Sequence, residues 1–327
     1  MTETMWAVLH DKDAPLRVGE ADKPVPGPKD VLVRIHATGL NRADLVQRAG
    51  FYPPPPGASE ILGLECAGEV VECGAAVTDW KTGDRVCALL AGGGYAEYTT
   101  VDEGSLFAMP EEMSFNQAAA LPEVMMTVWA NIFDRCAIQA GEQLLIHGGT
   151  SGIGTMAIQM AKVAGVGKIM VTAGTAEKCA AAKALGADVA INYRDEDFEA
   201  VVAEQGGADV VLDMVGGDYV QKNISVARIN GRICNIAYLQ GHKASLNLMP
   251  IMLKRLILTG TTLRARPVEE KRRIRDAVLK DFWPAVLDGR IQPVIDTVYT
   301  YEDADKAHAQ LNAGGHVGKV LLSRSAD

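Results

Sequence analysis

Between Leu144 and Lys162 the chain passes through an apolar strand, a glycine turn and an amphipathic helix. The segment reads Leu144-Leu145-Ile146-His147-Gly148-Gly149-Thr150-Ser151-Gly152-Ile153-Gly154-Thr155-Met156-Ala157-Ile158-Gln159-Met160-Ala161-Lys162. A turn this small lets backbone N–H groups approach a pyrophosphate, which then sits on the positive end of the following helix. A strict Gly-x-Gly-x-x-Gly needs glycine at 149, 151 and 154. Position 151 is serine, so an ordinary tight strand-to-helix turn stays open on this segment alone.

The surroundings favour the nucleotide reading. Apolar strands and helices alternate after Leu121: strands at 143–147, 168–173, 188–192, 209–213, 232–236 and 256–260, with helices predicted over 125–137, 152–164 and 177–185. Strands that are apolar throughout belong in a parallel sheet covered by helices on both faces. Alternation of this kind predicts a doubly wound sheet of six strands. The first 120 or so residues differ. Short alternating runs such as Val31–Ala37, Cys66–Gly74 and Gly92–Val101 lie between Gly and Pro turns and predict a small β-barrel. Tyr52-Pro53-Pro54-Pro55-Pro56-Gly57 forms a stiff loop within it. The last 65 or so residues predict a long helix (269–287), a strand near 294–299, a helix (301–311) and a strand (319–322) that return to the first domain. The expected domains are 1–122 completed by 264–327, and 123–263.

Acidic residues outnumber basic ones by 41 to 32 in a chain of 327, and the densest basic run is Lys271-Arg272-Arg273. A nucleic-acid partner would need a basic face, so none is expected. No leader-like start and no apolar run of about 18 residues is present, so no membrane partner is expected and the cytoplasm is the expected compartment. The six cysteines include no CxxC pair and read as reduced, mostly buried thiols.

Two further patterns narrow the chemistry. Gly148, Gly152 and Gly154 also fit the Gly-x-x-x-Gly-x-Gly spacing of short-chain dehydrogenases, but no tyrosine here has the lysine four residues later that such enzymes use. About 20 residues past the turn, a carboxylate would mark NAD by binding the ribose 2′-OH. That stretch reads Ala173-Gly174-Thr175-Ala176-Glu177-Lys178, with Tyr193-Arg194 ending the next strand. Small residues at the strand end with cations nearby suit a 2′-phosphate, hence NADPH, while Glu177 keeps NAD open.

The chain resembles the medium-chain dehydrogenase/reductase superfamily. Gly39-Leu40-Asn41-Arg42-Ala43-Asp44, Leu62-Gly63-Leu64-Glu65-Cys66-Ala67-Gly68 and Gly141-Glu142-Gln143 resemble its zinc-independent quinone oxidoreductases. Arg48 to Ser59, Ala118 to Glu123 and Gly318 to Leu322 resemble the p53-inducible branch. The resemblance covers essentially the whole chain. It implies a GroES-like barrel plus a Rossmann domain with the cofactor in the cleft between them, NADPH-dependent reduction of a quinone, and a homodimer. Carried over by position, Gly149, Ser151, Gly152, Ile153 and Gly154 would hold the pyrophosphate. Lys178 and Tyr193 would receive the 2′-phosphate, with Gly174 also in the cofactor-binding set, Asn41 and Thr127 would lie near the nicotinamide and its ribose, Ala237 and Leu239 beside the nicotinamide, and His316 near the adenosine or ribose. Many relatives carry Ala at 149 and Gly at 151, a departure in this turn.

In zinc-dependent relatives the first ligand falls at position 41 and a histidine at 64. Here these are Asn41 and Leu64, so no metal is expected. Without a Lewis acid, hydride transfer to an already electron-poor acceptor fits best. Tyr52 is the candidate donor to the developing oxyanion, although a ring that packs on prolines fits it equally. Asn41 is the second candidate in the catalytic set. His147 and Glu123 are expected to be structural, and the Gly92-Gly93-Gly94-Tyr95 loop to border the acceptor or simply turn. Two alternatives remain: reduction of an α,β-unsaturated carbonyl or enoyl thioester, and NADPH binding without turnover.

Overall fold

The structure is a computed structural model that describes residues 3–11 and 14–324. The extreme ends of the expected first domain, residues 1–2 and 325–327, lie outside the described residues. Two compact units divide the chain. One holds Met1–Met126, Leu263–Asp281 and Pro293–Asp327; the other holds Thr127–Thr262 and Phe282–Gln292.

In chain order the strands are β1 (Thr4–Leu9), β2 (Arg17–Asp22), β3 (Asp30–Gly39), β4 (Glu65–Cys73), β5 (Arg85–Leu89), β6 (Tyr98–Asp102) and β7 (Leu106–Ala108). Next come β8 (Gln143–His147), β9 (Lys168–Ala173), β10 (Val189–Asn192), β11 (Ala208–Asp213), β12 (Ala227–Asn235) and β13 (Ile257–Gly260), and last β14 (Ile295–Thr300) and β15 (Lys319–Ser323). The helices are α1 (Arg42–Arg48), α2 (Phe115–Ala119), α3 (Pro122–Val128), α4 (Gly152–Val163), α5 (Ala176–Ala184), α6 (Phe198–Glu204), α7 (Tyr219–Val226), α8 (Met249–Lys254), α9 (Val268–Asp281), α10 (Trp283–Leu287) and α11 (Ala304–Ala313).

The first unit is built on a seven-stranded sheet in the order β14-β15-β3-β4-β5-β7, with β6 also paired to β3, and on the separate β1-β2 hairpin. Alternation in β3 and β4 sends Val31, Val33, Ile35, Cys66 and Val70 into one core with Val86 and Leu106. The C-terminal strand β15 pairs antiparallel with β3, Leu322 opposite Thr38. The chain's end thereby completes a sheet that its beginning opens.

The second unit carries six parallel strands in the order β10-β9-β8-β11-β12-β13. Leu145, Met170, Val211 and Ile233 fill its middle, as expected for strands covered on both faces. The order reverses between β8 and β11. That switch point leaves a crevice outside the strands' C-terminal ends, where ligands of doubly wound sheets bind. The predicted six-stranded parallel sheet is present.

Some expected helices differ. The helix predicted over 269–287 is two: α9 ends at Asp281, Phe282 leaves helical geometry (φ −131°), and α10 restarts with Pro284 in its first turn. Proline is at home there and nowhere inside a continuous helix. The helix predicted over 125–137 is the end of α3 followed by a π-helical stretch, Trp129–Arg135, closed by Cys136 N–H to Asn131 O at 2.9 Å. The hairpin β1-β2, the strand β7 and the short helices α1, α2 and α6–α8 carry no periodic signal in the sequence.

Candidate functional site

The turn after β8 is built by backbone crowding. Gly148 lies in the left-handed region (φ 71°). A side chain at Gly154 would run into the carbonyl of Gly148. Gly149 donates to Thr172 O at 2.9 Å and lies so close to β9 that a Cβ there would sit 2.5 Å from Val171 Cβ. Helix α4 therefore starts against the sheet with its free N–H groups at the strand ends, the arrangement that holds an anion. Ser151 is the N-cap of α4. Its Oγ accepts from Gly154 N–H at 3.0 Å and donates to Gly148 O at 2.8 Å. The hydroxyl hydrogen is thus spent within the turn, which casts Ser151 as the clamp of the loop.

A buried polar network supports this turn from below. His147 is fully buried; its Nε2 donates to Asn223 Oδ1 (2.7 Å) and its Nδ1 accepts from Thr172 Oγ1 (3.1 Å). Burial pushes this imidazole down towards neutrality. Asn223 and Asn235 both donate to Asp213 Oδ2, at 3.1 and 2.8 Å, and Val215 N–H donates to Asp213 Oδ1 at 2.7 Å. His147 is therefore a scaffold residue. Asp213, which ends β11, is the hub, and the only sequence signal for it is a carboxylate closing an apolar run.

At the end of β9 the Tyr193 hydroxyl lies over Gly174, where an added Cβ would stand 2.7 Å from the hydroxyl oxygen. Thr175 caps α5 by accepting Lys178 N–H at 3.2 Å, which fixes Lys178 in that helix's first turn. Gly174, Lys178 and Tyr193 are thus gathered at the ends of β9 and β10, on the same side of the sheet as Gly149, Ser151, Gly152, Ile153 and Gly154. Ala237 and Leu239 follow β12 on that side, with Leu239 N–H bound to Met214 O at 3.1 Å. Thr127 is buried in the first helical stretch of the same unit. These cradles and free helix N–H groups fit a dinucleotide.

Asn41, Tyr52 and His316 belong to the other unit. Asn41 is buried and fully engaged: Nδ2 donates to Glu65 Oε1 (3.0 Å) and Gly39 O (3.2 Å), and Oδ1 accepts from Lys319 Nζ (2.8 Å). Lys319 also pairs with Glu65 Oε1 at 2.6 Å and donates to Leu40 O at 2.7 Å. Leu64 is buried beside this cluster in sequence. Among the described residues, no three His, Cys, Asp or Glu side chains group so as to hold a metal ion. Tyr52 is half-buried, and burial pushes its phenol up, so it stays protonated. Tyr95 is fully buried and donates to Asp44 Oδ2 at 3.2 Å, so the Gly92–Tyr95 loop is a core turn and does not border an acceptor through that phenol. His316 lies on the loop between α11 and β15.

The comparisons match this architecture. Residues 27–111 fit the model "Alcohol dehydrogenase GroES-like domain" and residues 152–280 fit "Zinc-binding dehydrogenase". A pig protein named quinone oxidoreductase is 30% identical over 312 residues, 93% of this chain and 92% of its own. The chain belongs to the medium-chain dehydrogenase/reductase superfamily, among its quinone oxidoreductase-like reductases. Among solved structures, an Escherichia coli quinone oxidoreductase complexed with NADPH superposes with TM-score 0.85 at 29% identity, over 98% of this chain and 100% of that one. An NAD-dependent alcohol dehydrogenase superposes with TM-score 0.86 at 29% identity, over 98% and 99%. The first unit is thus GroES-like and the second Rossmann-type.

Proposed function

We propose that the chain is an NADPH:quinone oxidoreductase of the p53-inducible branch that works without a metal. The proposed domains are 1–122 with 264–327, and 123–263; the compact units differ from them in placing Phe282–Gln292 with the second. The observation that carries the reading is the Lys319 ammonium against Glu65. The acid that remains near the zinc-ligand positions of distant relatives is already neutralised, and Asn41 and Leu64 offer no replacement ligands. An acceptor here must be electron-poor on its own account, which a quinone is.

The cofactor reading rests on the end of β9. No carboxylate stands at Ala173 or Gly174 to bind a ribose 2′-OH, while Lys178 and the Tyr193 hydroxyl are suited to a 2′-phosphate. The turn at Gly149, Gly152, Ile153 and Gly154 would take the pyrophosphate, with Ser151 holding the turn shut. Thr127, Ala237, Leu239, Asn41 and His316 keep their proposed places around the nicotinamide and adenosine ribose. Bound there, a reduced nicotinamide supplies the hydride. The chain's own residues orient the acceptor and present N–H and O–H groups to the oxygen that gains charge, Tyr52 among them. One NADPH, one quinone and one proton give NADP⁺ and hydroquinone.

A cytoplasmic homodimer completes the proposal. No two cysteines among the described residues form a disulfide, which suits a reducing compartment. Among the described residues, no helix is long and apolar enough to cross a membrane. Leu248, Met249, Met252, Leu253 and Ile257 are more than half exposed along α8 and the sheet-edge strand β13. An apolar patch on an open sheet edge suits a second copy of the chain.

The test is oxidation of NADPH and of NADH with 1,4-benzoquinone, 9,10-phenanthrenequinone and crotonyl-CoA, in EDTA. NADPH-preferring turnover of quinones, undiminished by EDTA, is expected. Turnover of crotonyl-CoA alone would make the protein an enoyl thioester reductase. NADPH binding without any turnover would leave a non-catalytic binder.

A further inference from the structure

Arg264 is an unusual arginine. It is 4% exposed, and no carboxylate pairs with it. Its Nε donates to Ala91 O at 2.7 Å and its Nη1 to Tyr52 O at 3.1 Å, and its Cζ lies 5.2 Å from the centre of the Tyr52 ring. Nη2, with two hydrogens, has no partner. A buried guanidinium nitrogen left without an acceptor costs more than a made hydrogen bond returns, so Nη2 is the donor of this group that an acceptor oxygen would satisfy. One turn into α9 lies Lys271, 9% exposed, whose backbone N–H donates to Pro267 O at 3.1 Å and whose ammonium joins no ion pair among the described residues. Burial pushes its ammonium down, and the charge of Arg264 pushes it further. The acids whose fields reach this corner are Asp44, felt by Arg264, and Glu123, felt by Tyr52; neither forms an ion pair with Arg264. Two buried cations without a counter-ion make a local excess of positive charge in a protein whose net charge is −9.

We propose that Arg264 is the residue that binds the acceptor's oxygen, that Lys271 adds its field, and that the site therefore prefers quinones carrying an anionic substituent. The inference rests on Tyr52 belonging to the acceptor's site. Arg264 grips the Tyr52 loop by its carbonyl and ring face, and the free Nη2 is the donor left over. In the reaction the acceptor takes the hydride and its electron pair, one oxygen becomes an oxyanion held by the guanidinium, and a solvent proton completes the hydroquinone. The guanidinium gives up no proton, because it stays charged throughout the working range.

The experiment compares kcat/KM for 1,4-naphthoquinone-2-sulfonate and 1,4-naphthoquinone in the wild-type protein, then in Arg264→Met, Arg264→Lys and Lys271→Met. Sulfonate should be preferred about tenfold, a difference of about 1.4 kcal/mol. The preference should vanish in Arg264→Met, persist in part in Arg264→Lys, shrink in Lys271→Met, and weaken with salt. NADPH affinity, read by cofactor fluorescence, should not move. If wild type reduces both quinones with equal efficiency, the inference fails while the reductase reading stands; if it reduces neither, the reductase reading fails first. Should Arg264→Met not fold, the wild-type ratio and Lys271→Met still decide. An undiminished preference in Lys271→Met together with a salt-independent ratio would overturn it.

Discussion

The Lys319 ammonium lies 2.6 Å from Glu65 Oε1, with the lysine side chain 5% exposed and the glutamate fully buried. Truncating one member of such a pair leaves a buried charge with no solvent and no opposite charge, held only by neutral hydrogen-bond partners. Lys319→Met should lower unfolding free energy by about 3–5 kcal/mol, and Lys319→Met with Glu65→Leu should recover part of it. Chemical denaturation of the three proteins checks this, and equal stability of the single and double variants would refute it.

Asp44 and His308, on either side of the Tyr95 hydroxyl that touches both at 3.2 Å, are shifted in opposite directions by burial. Burial first, against N–H groups of Asn41 and Gly63 and the field of Lys319, pushes Asp44 up to about 6. Burial first, then Arg48, with Asp305 opposing, pushes His308 down to about 4. Between pH 4 and 6 the folded state holds Asp44's proton longer than the unfolded chain does, so this group's stabilisation fades as pH rises. Between pH 6.5 and 4 the unfolded chain protonates His308 first, so its contribution is lost as pH falls. The two slopes offset each other in the wild type. His308→Gln should leave a melting temperature that falls from pH 4 to 6, and Asp44→Asn one that rises from pH 4 to 6.5. Parallel slopes in the two variants would contradict the assignment.

Gly149→Ala should destabilise by about 1–3 kcal/mol, because the new methyl meets Val171. Adding Val171→Ala should relieve most of that loss. A double-mutant cycle that shows no coupling between these two sites would mean that the turn relaxes some other way.

Lys178→Ala and Tyr193→Phe should weaken NADPH binding about tenfold or more while changing NADH binding less than about twofold, the mark of a contact to the 2′-phosphate. Fluorescence titration with each cofactor separates the cases. Equal loss for both would remove that role from these residues.

Leu253→Asp with Met252→Asp places two charges on the exposed apolar patch. Sedimentation velocity should show a shift from dimer to monomer, and a dimer that survives both would move the interface elsewhere.

The parallel sheet was legible because its strands are apolar runs punctuated by a glycine turn, and both signals are local. The break at Phe282 was less so, since charged and apolar residues keep helical spacing straight through Pro284. Ser151 stood in the right place, but the destination of its hydroxyl depends on where Gly148 O points, which no spacing reveals. Lys319 was read as part of a strand, with nothing to mark it as the partner of an acid near the other end of the chain. Arg264 was invisible for a related reason. An arginine in a polar stretch looks solvated until the carbonyls of Tyr52 and Ala91 are seen to close over it.

The Lys319 contact also bears on how the molecule is born. Its ammonium binds the side chain of Asn41, 278 residues earlier. At about 5–20 residues per second, a ribosome needs roughly 15–60 s to make the stretch between them. Through that interval Glu65 has no counter-charge and β3 lacks its β15 neighbour. The nascent barrel must wait, with an open sheet edge exposed to other chains, while the Rossmann half has most of its sequence in hand.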